Sequence, residues 1–406
     1  MSTGDNNSNL RYWLWLQKAL GEGAYIKNIL DDFGSVKKLY DSNIIEWRMS
    51  TALTSKQINK LEQTDINSVE EIIYTCENNG WTIIDYDDKR YPSRLKEIYN
   101  PPCVLYVDGE LPDIDNLAAI GIVGTRKASE YAVKVAHIMS RGVTECGALV
   151  VSGGALGVDT AAHKGALTAG GKTIAVLGCG LGTSYLNENK PLRDVIKNNG
   201  ALVTEYPPFT KAGKTTFPMR NRIISGLSVG VLVVEAGVKS GSLITSNYAL
   251  EQGRDVFAVP ASVLSVDFSG TNKLIDDGAI VATKPEQIIS VYAERFDTID
   301  ISKSRTVSEL MNDDADNSAN VKKADDKLSF DTIEENRSKR LENEKLAFTL
   351  SGNTKTVYQC LNDSFLHIDT IIEKTGLASS KVISSITQLE VMGLVQSTSG
   401  KRYKLA

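Results

Sequence analysis

Between residues 117 and 290 the chain alternates short, near-continuous apolar runs with longer stretches of helical periodicity. The runs at 119–123, 148–152, 173–177, 201–204, 229–234 and 255–259 predict strands. Several lack any polar alternation, as strands do when helices cover both faces of their sheet. The segments at 130–145 and 159–167 carry apolar positions at helical spacing and predict helices between the strands. That repeating order implies an α/β domain with a parallel, doubly wound, Rossmann-like sheet.

The pattern changes on either side. Residues 10–80 read as short helices, with apolar positions at Leu10, Trp13, Leu14, Leu16 and Leu20, then at Ile26, Ile29, Leu30 and Phe33. Leu20-Gly21-Glu22-Gly23 followed by Asp31-Asp32-Phe33-Gly34-Ser35 has the outline of a helix-hairpin-helix unit, a shape that can present backbone amides to DNA phosphates. A purely packing helical domain fits as well, since the hairpin carries an acid and no base. From Trp81 the texture becomes extended, with strands expected at 81–84 and 104–107 around Pro101-Pro102. Residues 297–350 are polar and read as a flexible acidic linker, with 334–346 able to form an isolated charged helix. Residues 351–406 turn compact again: helices at 356–361, 368–375 and 379–392, then a hairpin, which is winged-helix order. In DNA readers of that class the third helix enters the major groove. Here it carries Lys381 and Glu390, so DNA reading, protein contact and plain structure all remain open. The domains expected are therefore 1–80, 81–296, the linker 297–350 and 351–406.

Composition narrows the function. The net charge of -5 does not suggest a nucleic-acid binder, but the charge is uneven. Residues 297–350 hold 13 acids and 9 bases, whereas 117–290 hold 17 bases and 13 acids, so the main domain is mildly basic. No apolar run approaches the ~20 residues of a membrane span, and the first residues lack a signal pattern, which predicts a cytoplasmic protein. The cysteines Cys76, Cys103, Cys146, Cys179 and Cys360 are scattered and never spaced CxxC, so no disulfide framework or metal site is expected.

The local exception to the acidic average lies between Phe209 and Arg222, where four basic residues and two phenylalanines occur with no acid. Rings offer stacking faces to unpaired bases, and nearby cations follow a phosphate backbone. Ligands of open parallel sheets bind beyond the carboxyl ends of the strands. Three glycine-bearing loops are expected there: Gly124-Thr125-Arg126-Lys127, Ser152-Gly153-Gly154-Ala155-Leu156-Gly157, and Gly178-Cys179-Gly180-Leu181-Gly182-Thr183-Ser184. Glycines let a backbone approach phosphate, and a helix N-terminus adds free amides. None of the loops is a dinucleotide fingerprint, and Gly213-Lys214-Thr215 lacks the glycine a Walker motif needs. No cofactor is expected. Glu205 and Glu235 end apolar strands at this edge and read either as acids of a nucleotide-processing enzyme or as partners of basic residues. His163 reads as a base or as packing, Arg220 and Arg222 as nucleic-acid contacts or as structural ion pairs, and Ser240-Gly241-Ser242 as a helix cap.

Tyr91-Pro92-Ser93-Arg94-Leu95, Pro101-Pro102, Gly124-Thr125-Arg126, Ser152-Gly153-Gly154 with Gly157 and Asp159, Ala162-His163-Lys164-Gly165, Glu205-Tyr206-Pro207-Pro208, Phe217-Pro218-Met219-Arg220-Asn221-Arg222 and Ser240-Gly241-Ser242 form an ordered series. Over roughly residues 85–290 it resembles the DNA-processing protein A family, also called DprA or Smf. Leu186, Ser225 and Ala261 are small departures from the family pattern. The resemblance implies a helical N-terminal domain of SAM or helix-hairpin-helix type, a Rossmann-like domain and a winged helix. It also implies a homodimer, without catalytic activity, that binds and protects single-stranded DNA in natural transformation and loads the RecA recombinase onto it. The pocket it implies comprises Arg126, Ser152, Gly153, Gly154, Gly182, Lys214, Phe217, Arg220, Asn221 and Arg222. In the resulting reading Lys214, Arg220 and Arg222 pair with phosphates, Phe217 stacks on a base, and the glycine loops donate amides. The rival reading is a Rossmann-like nucleotide-processing enzyme of phosphoribohydrolase type.

Overall fold

A computed structural model describes residues 9–21, 24–185, 187–313, 350–361, 366–398 and 402–405. The chain divides into two compact units, Met1–Asp325 and Asp326–Ala406.

The first unit is built on a nine-stranded sheet. Its strands are β1 (Thr82–Asp85), β2 (Val104–Gly109), β3 (Ala119–Val123), β4 (Leu149–Ser152), β5 (Thr173–Val176), β6 (Gly200–Thr204), β7 (Gly230–Val233), β8 (Asp255–Ala258) and β9 (Ile280–Val281). Their spatial order is β1-β2-β6-β5-β4-β3-β7-β8-β9. From β6 to β9 every pairing is parallel, while β1 and β2 close one edge antiparallel. The predicted strands thus stand where the apolar runs placed them; β9, only two residues long, carried no such signal. Successive residues of each strand feed opposite layers: Val150 and Phe257 pack in one buried cluster, Val151 and Ala258 in the other. The order runs outward from β3 to β6, then restarts beside β3 with β7. The crevice of this reversal opens beyond the ends of β3 and β7, where the Arg126 and Glu235 loops meet.

The N-terminal helices begin with Leu10–Leu20, whose Trp13, Leu14, Trp15 and Leu16 are buried. Trp15 donates to the Thr64 carbonyl, and capping boxes at Asn43/Glu46 and Thr54/Gln57 start two of the following helices. Tyr106 of β2 donates to the Gln17 side chain, which in turn donates to the Glu205 carbonyl, so this bundle is docked on the sheet edge. Gly21 ends the first helix; Glu22 and Gly23 of the expected hairpin lie outside the described residues.

Of the linker expected at 297–350, only residues 297–313 and 350 are described. Residues 297–313 pack against the sheet domain: Leu310 is fully buried, and the Asp300 amide donates to the Cys146 carbonyl. Arg141 and Arg305 both bind Asp313. The charged helix expected at 334–346 lies outside the described residues.

The second unit has helices Gly352–Cys360, Ile368–Thr375 and Ser379–Val391, with β10 (Leu366–His367), β11 (Val395–Thr398) and β12 (Arg402–Leu405) in the order β10-β12-β11. Val357, Ile371, Val382, Ile386 and Leu389 form its core. Three helices and a small antiparallel sheet make a winged helix, with Lys381 exposed on the third helix. Among the described residues no helix is long and apolar enough to cross a membrane.

Candidate nucleic-acid interface

The ends of β4 and β5 stop in glycine-rich loops that line one wall of a cleft of about 410 Å³. Helix Thr216–Leu227 packs beneath them, and close approach is possible because the loops lack side chains. A Cβ at Gly178 would stand 2.7 Å from the Phe217 ring. Thr216 fixes the register by donating to the Gly178 carbonyl at 2.6 Å. The β5 loop is also stitched to the segment after β6: the Gly180 amide donates to the Thr210 carbonyl, and the Phe209 amide to the Leu181 carbonyl.

Two aromatic groups result. Arg126 lies over the Phe217 ring, 4.5 Å from its centre, and reaches the Tyr185 hydroxyl at 3.4 Å. Tyr185 and Phe217 are 5.2 Å apart. At the other lip Trp81 and Phe209 stand 6.0 Å apart, over Gly182. Phe209 is 56% exposed and holds φ +60, a left-handed conformation costly for a bulky residue. It is the single non-glycine residue of positive φ among the described residues. The loop hydrogen bonds on both sides of Phe209 hold it there, ring outward.

The expected site residues divide into two sets. Arg126, Lys214 and Gly182 are exposed, Phe217 and Asn221 half-buried. Gly153 and Gly154 line the cleft. Asn221 donates to the Gly241 carbonyl at 3.3 Å. The remaining three are buried, and of them Arg220 also lines the cleft. The Ser152 hydroxyl is fully buried and donates to the Ile122 carbonyl, which bolts β4 to β3. Arg220 is buried, donates to the carbonyls of Gly153 (2.6 Å) and Val176, and faces Asp159. Arg222 is 3% exposed and grips Glu205 through two bonds of 3.0 and 2.6 Å. Both arginines, expected to pair with phosphates, here bond within the fold, as burial of a guanidinium demands, while the Nε atoms of both are left without a partner.

The expected anion seat at the β4 loop is also altered. Asp159, buried, accepts from the Ala155 amide, and the Val158 amide donates to the Thr125 carbonyl. A carboxylate of the chain thus accepts one of the loop amides that could face a phosphate. Burial pushes the Asp159 carboxyl upward, partly offset by Arg220. Gly157 is required here: its φ is +79, and a Cβ would collide with the Thr125 carbonyl.

The candidate acids are likewise engaged. Glu205 holds Arg222, and Glu235 accepts from the Ser129 amide (3.1 Å) and hydroxyl (2.5 Å) at the start of helix Glu130–Glu145. His163 is fully buried, with Nδ1 2.8 Å from the Thr173 hydroxyl. That hydroxyl donates to the Val150 carbonyl, so Nδ1 carries the proton. Burial, with Arg220 nearby, pulls the imidazole down to about 3. His163 is therefore a neutral packing residue. Ser240 and Ser242 bond each other at 2.8 Å, and the Ser242 amide donates to Ser240 as its helix begins.

The far wall was not expected from the sequence: Trp81, Asp108, Lys190, Arg193 and Lys197 all line the cleft. Positions 190, 193 and 197 form a basic stripe at helical spacing, a signal that was available in the chain.

The family model described as DNA recombination-mediator protein A matches residues 82–293, and that of the DprA winged helix domain matches 342–401. The chain is 41% identical over 237 residues to the DNA processing protein DprA of Bacillus subtilis (strain 168), covering 58% of this chain and 80% of that one. It is 30% identical to Protein Smf of Synechocystis sp. over 404 residues, 98% of this chain and 99% of the relative. The X-ray structure of DNA processing protein A from Streptococcus pneumoniae superposes with a TM-score of 0.61 at 35% identity, over 69% of this chain and 97% of that one.

Proposed function

The chain belongs to the DNA recombination-mediator protein A (DprA/Smf) family, and from that premise we propose that it binds single-stranded DNA in the cleft at the carboxyl edge of its sheet. The observation that carries this reading is the cluster of Arg126, Tyr185 and Phe217, with exposed Lys214 three residues before Phe217 in the chain. A base stacks against this group, and the strand's phosphates run past Lys214 and Arg126. Aromatic stacking is indifferent to sequence because every base has a π-face. The strand is held without chemistry being done on it: Glu205, Glu235 and His163 are all occupied structurally. This reading replaces Arg220 and Arg222 as phosphate ligands. They become the girders that hold the helix carrying Phe217.

The experiment is a titration of oligothymidylate and of a hairpin duplex over a range of salt. The expected result is tighter binding of the single strand, with affinity falling as salt rises. Equal affinity for both substrates would sink the reading.

Family membership extends the proposal. The protein shields incoming strands in the cytoplasm during natural transformation, loads the RecA recombinase onto them, and acts as a homodimer. The free edge at β9, where Ile280 and Val281 are exposed, is a surface that a second copy would extend. Sedimentation at twice the 44.2 kDa chain mass and faster RecA filament nucleation on oligothymidylate are the expected readouts.

A further inference from the structure

The far wall of the cleft is basic by construction. Helix Lys190–Asn198 turns Lys190, Arg193 and Lys197 to the cleft, with Asp194 between them. Asp194 accepts from Lys190 at 2.7 Å and lies 3.6 Å from Lys197. Asp108, bonded by Trp81, is the other carboxylate on this wall. Arg193 differs from its neighbours. It is half-buried in the cleft and makes no hydrogen bond or ion pair among the described residues. Its guanidinium is pulled below its ordinary value by lost hydration, offset only in part by the nearby Cys179 and Asp194, neither of which bonds it. A desolvated, unpartnered guanidinium beside two lysines suits an anion with planar oxygens.

We propose that the cleft is a two-walled clamp, in which Arg193 and Lys197 hold a second phosphate of the same strand, across the glycine loops from Arg126 and Phe217. The inference rests on the single-strand reading above and adds to it a further set of DNA-binding residues and a reason for discrimination. A cleft of about 410 Å³ is of the size that encloses one small ligand. Phe217 lines the near wall and Lys190, Arg193 and Lys197 line the far one, so a lone nucleotide meets a ring on one side and cations on the other. A base pair brings a second strand against one wall, so a duplex gains nothing from Arg193.

The test uses the full chain, with oligothymidylate longer than the ~16 nucleotides that bound the site size of a single-strand-binding OB fold, and a hairpin duplex. Arg193→Gln and Lys197→Gln are measured separately, since Lys197 reaches solvent and its replacement preserves the fold. Removing one phosphate-binding cation should reduce the slope of log affinity against log salt by about 0.7 for the single strand. Duplex affinity should stay as in the parent. If both variants keep the parental slope, or if single strand and duplex weaken equally, the clamp is overturned. A parent protein with no preference for single strands would instead overturn the functional reading itself.

Discussion

Removing Arg222 tests whether the inward arginines are structural. In the folded unit its guanidinium is 3% exposed and meets Glu205 in a two-pronged pair, with Glu205 itself 6% exposed. Arg222→Ala leaves that carboxylate buried without its two-pronged cationic partner. Breaking one side of a buried pair costs about 3–5 kcal/mol, a large part of the ~5–15 kcal/mol by which folded proteins are stable. With a urea m-value of ~3 kcal/mol/M, the unfolding midpoint should fall by roughly 1–1.7 M. Replacing both partners with apolar residues of similar volume, Arg222→Met with Glu205→Leu, should recover most of that loss, because neither charge is then left in the core. The assay is urea unfolding of the parent, the two single variants and the double variant, followed by circular dichroism. Suppose Arg222→Ala unfolded at the parental midpoint yet lost its grip on single strands. Arg222 would then be a phosphate ligand, and the internal pairing would carry no energetic weight.

Other outcomes follow from the same geometry. Phe217→Ala should weaken single-strand binding by about five- to 150-fold, the ~1–3 kcal/mol of one stacked base, with the salt slope unchanged; a changed slope would make Phe217 a positioning residue for cations instead. Lys214→Ala should do the reverse, lowering the slope by about 0.7 as one phosphate loses its cation. His163 is depressed to about 3 in the fold against an ordinary 6.5, so the unfolded chain binds the extra proton first. Its contribution is complete above pH 6.5 and is lost as pH falls toward 3. Asp85, raised to about 6 by burial, acts oppositely and favours the fold below its ordinary 3.8. The His163→Gln variant should therefore show a flatter fall in melting temperature between about pH 6.5 and 4; a slope equal to the parent's would refute the buried neutral imidazole. Gly157→Ala must move the loop after β4, since a Cβ meets the Thr125 and Arg126 backbone. It should lower both stability and single-strand affinity, read by urea unfolding and by the same titration.

How much of this was legible beforehand differs from element to element. Strands β3 to β8 were readable because each is buried on both faces, and double burial writes itself as an uninterrupted apolar run. The three glycine loops were readable because a backbone that must pass close to a ring or turn left-handed excludes side chains, as at Gly157 and Gly178. Phe217 and Lys214 stood out by residue type alone. The direction of Arg220 and Arg222 was not readable. A basic residue in a short cationic segment looks the same whether it faces water or the core, and the choice depends on where Glu205 and Asp159 arrive. Those carboxylates come from a different strand end and a different helix, so only the packing of helix Thr216–Leu227 under the sheet could decide it. The same holds for the far wall. The spacing of Lys190, Arg193 and Lys197 fixes that they share one face of a helix. That this face turns toward Phe217 rather than toward solvent is settled by the crossing of the β5–β6 connection, a long-range property that local pattern does not encode.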